Sequence, residues 1–262
     1  MKNDLNPKQV NIMKRIGIFS DFHTGHKVGL TPPDFWSGGK KITNRLSERW
    51  EWFAKSLKDN GPFDAAIIMG DTVDGPGVKN GQETILNLNQ QVTAAAEIIS
   101  RINAKKIFMV YGTPVHTTAG GGYELEKGVA DILGVEIHGQ IWINADGYIL
   151  DCRHHPAGNS QVYPGNPLVK ERESNLRWAR EGVQKESQFI IRGHTHRMYT
   201  VSEPNRWMGI ACPALQDYGT VYGRRLSNTV HMGWGTLDIS KGKWPRWTVY
   251  EAPRKKEVVL SL

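Results

Sequence analysis

Five places in the chain carry carboxylates and imidazoles at spacings that suit divalent cations. They are Asp21-Phe22-His23, Gly70-Asp71 with Asp74 beyond it, Gly112-Thr113 with His116 three residues on, the adjacent His154 and His155, and Gly193-His194-Thr195-His196. Carboxylate oxygen and imidazole nitrogen are the donors that hard and borderline divalent cations take, and a pair of ions needs one carboxylate between them with further ligands on each side. Asp21 and His23, two apart, can both turn toward one ion. Asp71 follows a glycine that lets the backbone approach closely, and His194 and His196 can serve one ion each. No cysteine takes part, which sets the pattern apart from a structural zinc site.

Such residues converge only if regular elements deliver them, and the apolar periodicity supplies those elements. Residues 15–20 (RIGIFS), 64–69, 106–111, 148–152 and 188–191 read as short buried strands, each running directly into one of the five polar places. Between them, 45–58, 83–102, 123–133 and 167–182 carry apolar residues at threes and fours and read as helices. Strands alternating with helices predict an α/β architecture, whose ligands lie beyond the carboxyl ends of the strands. After Met198 the texture shifts to strand-like pieces at 207–211, 229–239 and 247–251, which predicts a second sheet closing the fold within one domain, 1–262. Gly38-Gly39 and Gly120-Gly121-Gly122 mark flexible loops, and no internal repeat of fixed period is present.

Composition narrows the function classes. With 39% hydrophobic and 23% charged residues among 262, the chain is ordinary globular material with enough apolar content for a sizeable core. Lys and Arg (33) exceed Asp and Glu (26) for a net charge of +7, a field that favours anions such as nucleic acid or phosphorylated substrates. The basic residues are scattered, and their densest run, Arg254-Lys255-Lys256, lies in the C-terminal tail; a purely nucleic-acid-binding module would cluster them with interleaved aromatics. Trp50 and Trp52, two apart on an expected helix, read as packing residues rather than a base-stacking platform. Cys152 and Cys212 are too few for a disulfide framework, the N-terminal lead-in is polar, and no apolar run is long enough to span a membrane. The expectation is a cytoplasmic protein with no membrane partner.

Taken in order, Asp21-x-His23, Gly70-Asp71-x-x-Asp74, Gly112-Thr113-x-x-His116, His154 and Gly193-His194-Thr195-His196 resemble the motif series of calcineurin-like metallophosphoesterases. The resemblance implies two mixed β-sheets packed as a sandwich with flanking helices, four layers in all. It implies that Asp21, His23 and His196 hold one ion, that His154 and His194 hold another, and that Asp71 bridges them. The two divalent cations would be manganese, with iron, zinc, cobalt and nickel also suiting mixed nitrogen and oxygen ligands. A hydroxide between the ions would attack phosphorus in line, with most of the catalysis electrostatic and positional. The implied activity is phosphoester hydrolysis, read here as phosphodiesterase action on nucleic acid or nucleotides; a phosphomonoesterase acting on protein or small molecules is the alternative, and an inactive binding scaffold a further one.

The chain departs from the family at the third motif. Where the family usually has Gly-Asn-His, Thr113 takes the Asn position and His116 stands two residues beyond the His position. A hydroxyl is a poorer neutral ligand than an amide oxygen, so the second ion would be held less well, by His116 itself, or with water; His116 is otherwise the acid toward the leaving group, or a loop cap. Asp74 reads as an acceptor orienting His23 or as a turn residue before Gly75. His154 and His155, being adjacent, are expected to point to different sides, leaving His155 as a substrate contact or surface residue. His26 is expected either to reach the site or to be a solvated loop residue, and His138 and His231 to be structural. Arg192 and Arg197 flank the last motif, placed for phosphate contact or a structural ion pair. Loops at 24–45, 117–122 and 159–167 are expected to form the substrate rim.

Overall fold

In a computed structural model of the chain, the described residues are 13–36, 44–76, 85–118, 124–158, 163–220 and 230–254. Outside them lie the expected beginnings of helices at Glu83 and Tyr123, the start of the 229–239 strand, the glycine pair at 38–39 and triplet at 120–122, Lys255-Lys256, and parts of the three rim loops, 37–43, 119–122 and 159–162.

Eleven strands among the described residues form two sheets. The first contains β1 (Lys14–Phe19), β2 (Ala65–Ile68), β3 (Ile107–Val110), β4 (Ile137–His138), β10 (Gly233–Ile239) and β11 (Arg246–Glu251), in the order β11-β10-β1-β2-β3-β4. The second contains β5 (Gln140–Ala145), β6 (Tyr148–Arg153), β7 (Phe189–Arg192), β8 (Tyr199–Glu203) and β9 (Trp207–Ala211), in the order β5-β6-β7-β9-β8. Both are mixed: β1, β2, β3 and β4 run parallel, as do β6, β7 and β9, while β10, β11, β5 and β8 pair antiparallel.

The period of two along each strand makes the layers. Ile16, Ile18, Ile67 and Met69 face inward against Leu150, Cys152, Phe189, Ile191 and Ile210, forming the dry interior between the sheets. Their neighbours Phe19, Ala66 and Ile68 face outward and pack on Phe53, Val92, Ala95 and Val129 from α1 (Asn44–Asn60), α2 (Leu88–Ser100) and α4 (Leu125–Leu133). On the far side, Ile190 and Ala211 pack under Leu168 of α5 (Asn166–Arg180). Helix, sheet, sheet, helix is the four-layer sandwich anticipated above. Trp50 lies in the outer core and Trp52 against it, as packing residues.

Two expectations need correction. The expected helix over 83–102 begins at Leu88, because Asn87 caps it: its side chain accepts from the Gln90 N–H while the Gln90 side chain accepts from the Asn87 N–H. The C-terminal strands do not make the second sheet by themselves. That sheet starts at β5, and the β10–β11 hairpin returns to the first sheet, where β10 pairs with β1. Alternating apolar residues declare a strand but not its partner, so the pairing was invisible locally.

Candidate metal centre

β1, β2, β3, β6 and β7 all deliver their carboxyl ends to one edge of the sandwich, and the residues immediately beyond them meet there. Seven non-glycine residues among those described have positive φ. Asp146 and Asn205 occupy the turns of the β5–β6 and β8–β9 hairpins. The other five are Asp21 (54°), His23 (43°), Asp71 (49°), His194 (68°) and His196 (52°). Left-handed backbone costs an L-residue about 1–3 kcal/mol and survives only where surrounding bonds enforce it. Here the Asp21 N–H donates to the Gly70 carbonyl (3.0 Å), the His23 N–H to Asp71 (2.9 Å), the Gly193 N–H to His154 (2.9 Å) and the His231 N–H to His196 (2.9 Å). Gly112 is required for close approach: a Cβ there would land on the carboxylate and amide of Asp71.

The side chains converge. Asp21 Oδ1 lies 3.1 Å from His196 Nε2, 3.9 Å from His154 Nε2 and 4.0 Å from His23 Nε2. Asp71 Oδ2 lies 3.1 Å from His154 Nε2 and 3.9 Å from His23 Nε2, so it faces both halves of the cluster. Thr113 Oγ1 sits 3.0 Å from Asp71 Oδ2 and 3.2 Å from His194 Nδ1. The one-turn α3 (Pro114–Thr117) that follows Thr113 winds His116 back, so that its ring meets His23 edge-on with centroids 4.6 Å apart. His116 Nδ1 donates to the Asp74 carbonyl at 2.7 Å, and the Asp74 carboxylate stands 3.7 Å behind His23 Nδ1.

Charge is distributed unevenly across these groups. Burial opposes ionisation of Asp21 and Asp71, yet neighbouring histidines hold both carboxyls below the usual carboxylate range. Burial also works against a charged His154, but Asp71 and Asp21 outweigh it and push His154 up to about 10. His23 is lowered to about 4, mainly by burial, and His194 to about 4 by burial and the charge on His154.

Divalent cations fit this donor set. Asp21 Oδ1 is buried without a hydrogen-bond donor, although three imidazole nitrogens face it. His23 Nε2 and His196 Nε2 confront each other at 3.2 Å, an arrangement that needs a proton or a cation between two lone pairs. His154 Nδ1 donates to the Met69 carbonyl at 2.6 Å, which fixes the tautomer and leaves Nε2 to bind. The groups Asp21, His23, His196; His23, Asp71, His116; Asp21, Asp71, His154; and His154, His155, His194 each bring their donor atoms within 4.8 Å of one another.

The remaining histidines and Arg192 take definite places, and one of them is a correction. His155 does not turn away: its ring packs on His194 with centroids 4.2 Å apart, and its Nε2 is 3.3 Å from Thr113 Oγ1. Strand alternation predicted divergence, but β6 ends at Arg153 and the rule no longer applies beyond it. Arg192 is the ion-paired member of the alternatives, fully buried between Asp151 and Glu171. His26 is buried rather than solvated, its Nδ1 accepting the Val28 N–H. His231 Nδ1 accepts the Met198 N–H and His138 lies in β4, both structural positions.

Sequence reasoning missed Glu126. From α4, Oε1 accepts the Thr72 N–H (2.7 Å) and hydroxyl (2.9 Å), and Oε2 accepts the Gly112 N–H (2.7 Å), so one buried carboxyl ties together the loops carrying Asp71 and Thr113. Burial and the nearby Asp71 push it up to about 7. Its lone position on an amphipathic helix gave no signal beyond a charge on an otherwise apolar face.

Neither a family model nor a curated protein matches the chain. Solved structures similar to it include a predicted phosphoesterase from Streptococcus pneumoniae TIGR4, at 11% identity and TM-score 0.43, covering 92% of this chain and 91% of that one. An archaeal phosphodiesterase is similar at 18% identity and TM-score 0.47, covering 90% and 99%. Vps29 from Entamoeba histolytica, complexed with Zn²⁺, is similar at 12% identity and TM-score 0.47, covering 91% and 99%. At such scores the neighbours decide nothing, and the fold rests on the strand order and register given above.

Proposed function

We propose that the chain is, as a single domain, a calcineurin-like metallophosphoesterase that hydrolyses a phosphoester. The observation that carries this reading is the convergence of Asp21, His23, Asp71, His154, His194 and His196 from the ends of four strands, β1, β2, β6 and β7, five of the six on left-handed backbone. Asp21, His23 and His196 would hold one cation, His154 and His194 a second, with Asp71 shared. Bound there, two divalent cations, manganese in our reading, supply Lewis acidity toward a phosphoryl oxygen and a water of lowered pKa. The chain's own part is positional. Asp74 orients His23, Glu126 fixes the loops of Asp71 and Thr113, and the Asp74 carbonyl holds His116 Nδ1–H so that Nε2 exchanges a proton with the leaving group.

A phosphodiester in nucleic acid or a nucleotide is the substrate class we favour, supported by the net charge of +7, which raises the local concentration of polyanions. The two unbonded, buried cysteines are compatible with the cytoplasm, and among the described residues no helix is long and apolar enough to cross a membrane. One observation favours a different reading: Thr113 replaces an amide ligand, as an inactive scaffold would tolerate.

Hydrolysis of bis-p-nitrophenyl phosphate beside p-nitrophenyl phosphate, by chelator-stripped protein resupplied with Mn²⁺, separates these readings. Turnover that requires metal, prefers the diester and disappears in Asp71→Asn is the expected result. Preference for the monoester would replace the diesterase by a phosphatase. Absence of turnover with Mn²⁺, Fe²⁺, Zn²⁺, Co²⁺ and Ni²⁺ would refute the enzyme and leave the scaffold.

A further inference from the structure

Thr113 Oγ1 has more neighbours than a hydroxyl can serve. Asp71 Oδ2 is 3.0 Å away, His194 Nδ1 3.2 Å, His154 Nε2 3.3 Å and His155 Nε2 3.3 Å. A hydroxyl offers one proton and two lone pairs, so at most three partners are satisfied at once. Three of the four are imidazole nitrogens aimed at one small volume, and one more is a carboxylate oxygen. Hydrogen bonding to Thr113 does not account for that crowding, whereas a cation beside the hydroxyl does.

His155 is also held in place by more than its side chain. Arg153 Nε donates to the His155 carbonyl at 3.1 Å, and the ring is packed between His154, at 4.8 Å between centroids, and His194, at 4.2 Å. An imidazole wanted only for solvent or substrate contact would have no cause to pack edge-on against His154 and tilted against His194, whose nitrogens face the same point.

We propose that His155 is a ligand of the second cation, supplying through Nε2 the coordination position that an amide at residue 113 would otherwise fill. The second site is then made by His154, His155 and His194 with the shared Asp71, and Thr113 is small enough to let His155 in. This rests on the dinuclear reading above and adds to it the identity of the compensating ligand.

The test is cobalt binding to the full chain, followed by calorimetric titration and by the visible absorption of bound Co²⁺, for wild type, His155→Ala and the double variant Thr113→Asn/His155→Ala, with circular dichroism melts confirming that each is folded. Wild type is expected to bind two ions. His155→Ala keeps the first and weakens the second by at least about tenfold, the lower end of what even an outer partner of a ligand costs. The double variant, with an amide restored, recovers the second ion and its absorption. Unchanged binding of both ions by His155→Ala would overturn the proposal while leaving the dinuclear reading intact. A loss that the double variant fails to recover would overturn it too, assigning the effect to a disturbed loop. Fewer than two ions in wild type would refute the dinuclear reading itself, and this proposal with it.

Discussion

Replacing Glu171 by Ala should cost the protein more than any surface ion pair, although Glu171 lies outside the metal cluster. Arg192 is fully buried on β7; its Nε donates to Glu171 Oε2 at 2.7 Å, and its two terminal nitrogens reach the Asp151 carboxylate at 3.2 and 3.1 Å. Glu171 also accepts the Ala157 N–H at 2.6 Å. Truncating it leaves a buried guanidinium with one counter-charge instead of two, and hands the Ala157 N–H over to solvent. Breaking a buried pair in this way costs about 3–5 kcal/mol, because the abandoned charge keeps its desolvation penalty. For a chain of this size that is a fall in Tm on the order of 10 °C. Urea denaturation of the metal-free protein is the assay, read as a lower midpoint at unchanged slope. The charge-free triple variant Asp151→Asn/Glu171→Gln/Arg192→Met keeps acceptors for the Ala157 N–H and for Gln140 Nε2, which donates to Asp151 at 2.7 Å, so it should lose less than Glu171→Ala alone. A loss under about 1 kcal/mol for Glu171→Ala, the level of a solvent-screened pair, would refute the reasoning.

Glu126→Ala strands the Thr72 and Gly112 N–H groups at about 1–3 kcal/mol each and frees both ligand loops, so stability and metal affinity should fall together; a stable variant with wild-type metal binding would exclude the positioning role. His116→Ala should lower kcat by roughly 10²- to 10⁴-fold with both cations retained, and loss of a cation instead would make His116 a ligand. Adding metal at pH 8 should release protons into a weakly buffered indicator: His154, raised to about 10, is protonated in the metal-free protein and must be neutral to bind, so release should persist up to about that pH and fade above it, and none at pH 8 would contradict the charge on His154.

The site was legible where chemistry and strand ends coincide. Asp21, His23, Asp71, His194 and His196 could be read because parallel strands must stop at the same edge, and polar residues just past an apolar run have one place to go. His155 was misread because the period of two was carried past Arg153, where β6 had already ended. Glu126 showed only as a charge on an apolar helix face, since two of its three bonds go to backbone N–H groups that carry no residue identity. The α/β architecture followed from alternating strands and helices and the four layers from the family resemblance, while the membership of β10 and β11 followed from neither, because a pairing between Lys14 and Ile239 leaves no trace in either segment alone.

That last pairing has a consequence for how the molecule comes into being. β1 is apolar on both faces and is made well before β10, with β2 soon available on one side but β10 on the other only after the whole stretch up to Gly233 has been made. Until then its second edge is open, a template on which another nascent chain can add a strand. Ribosome-bound intermediates ending between β2 and Gly233 should therefore be the form most dependent on chaperones, and stalling within that stretch the step most prone to aggregation.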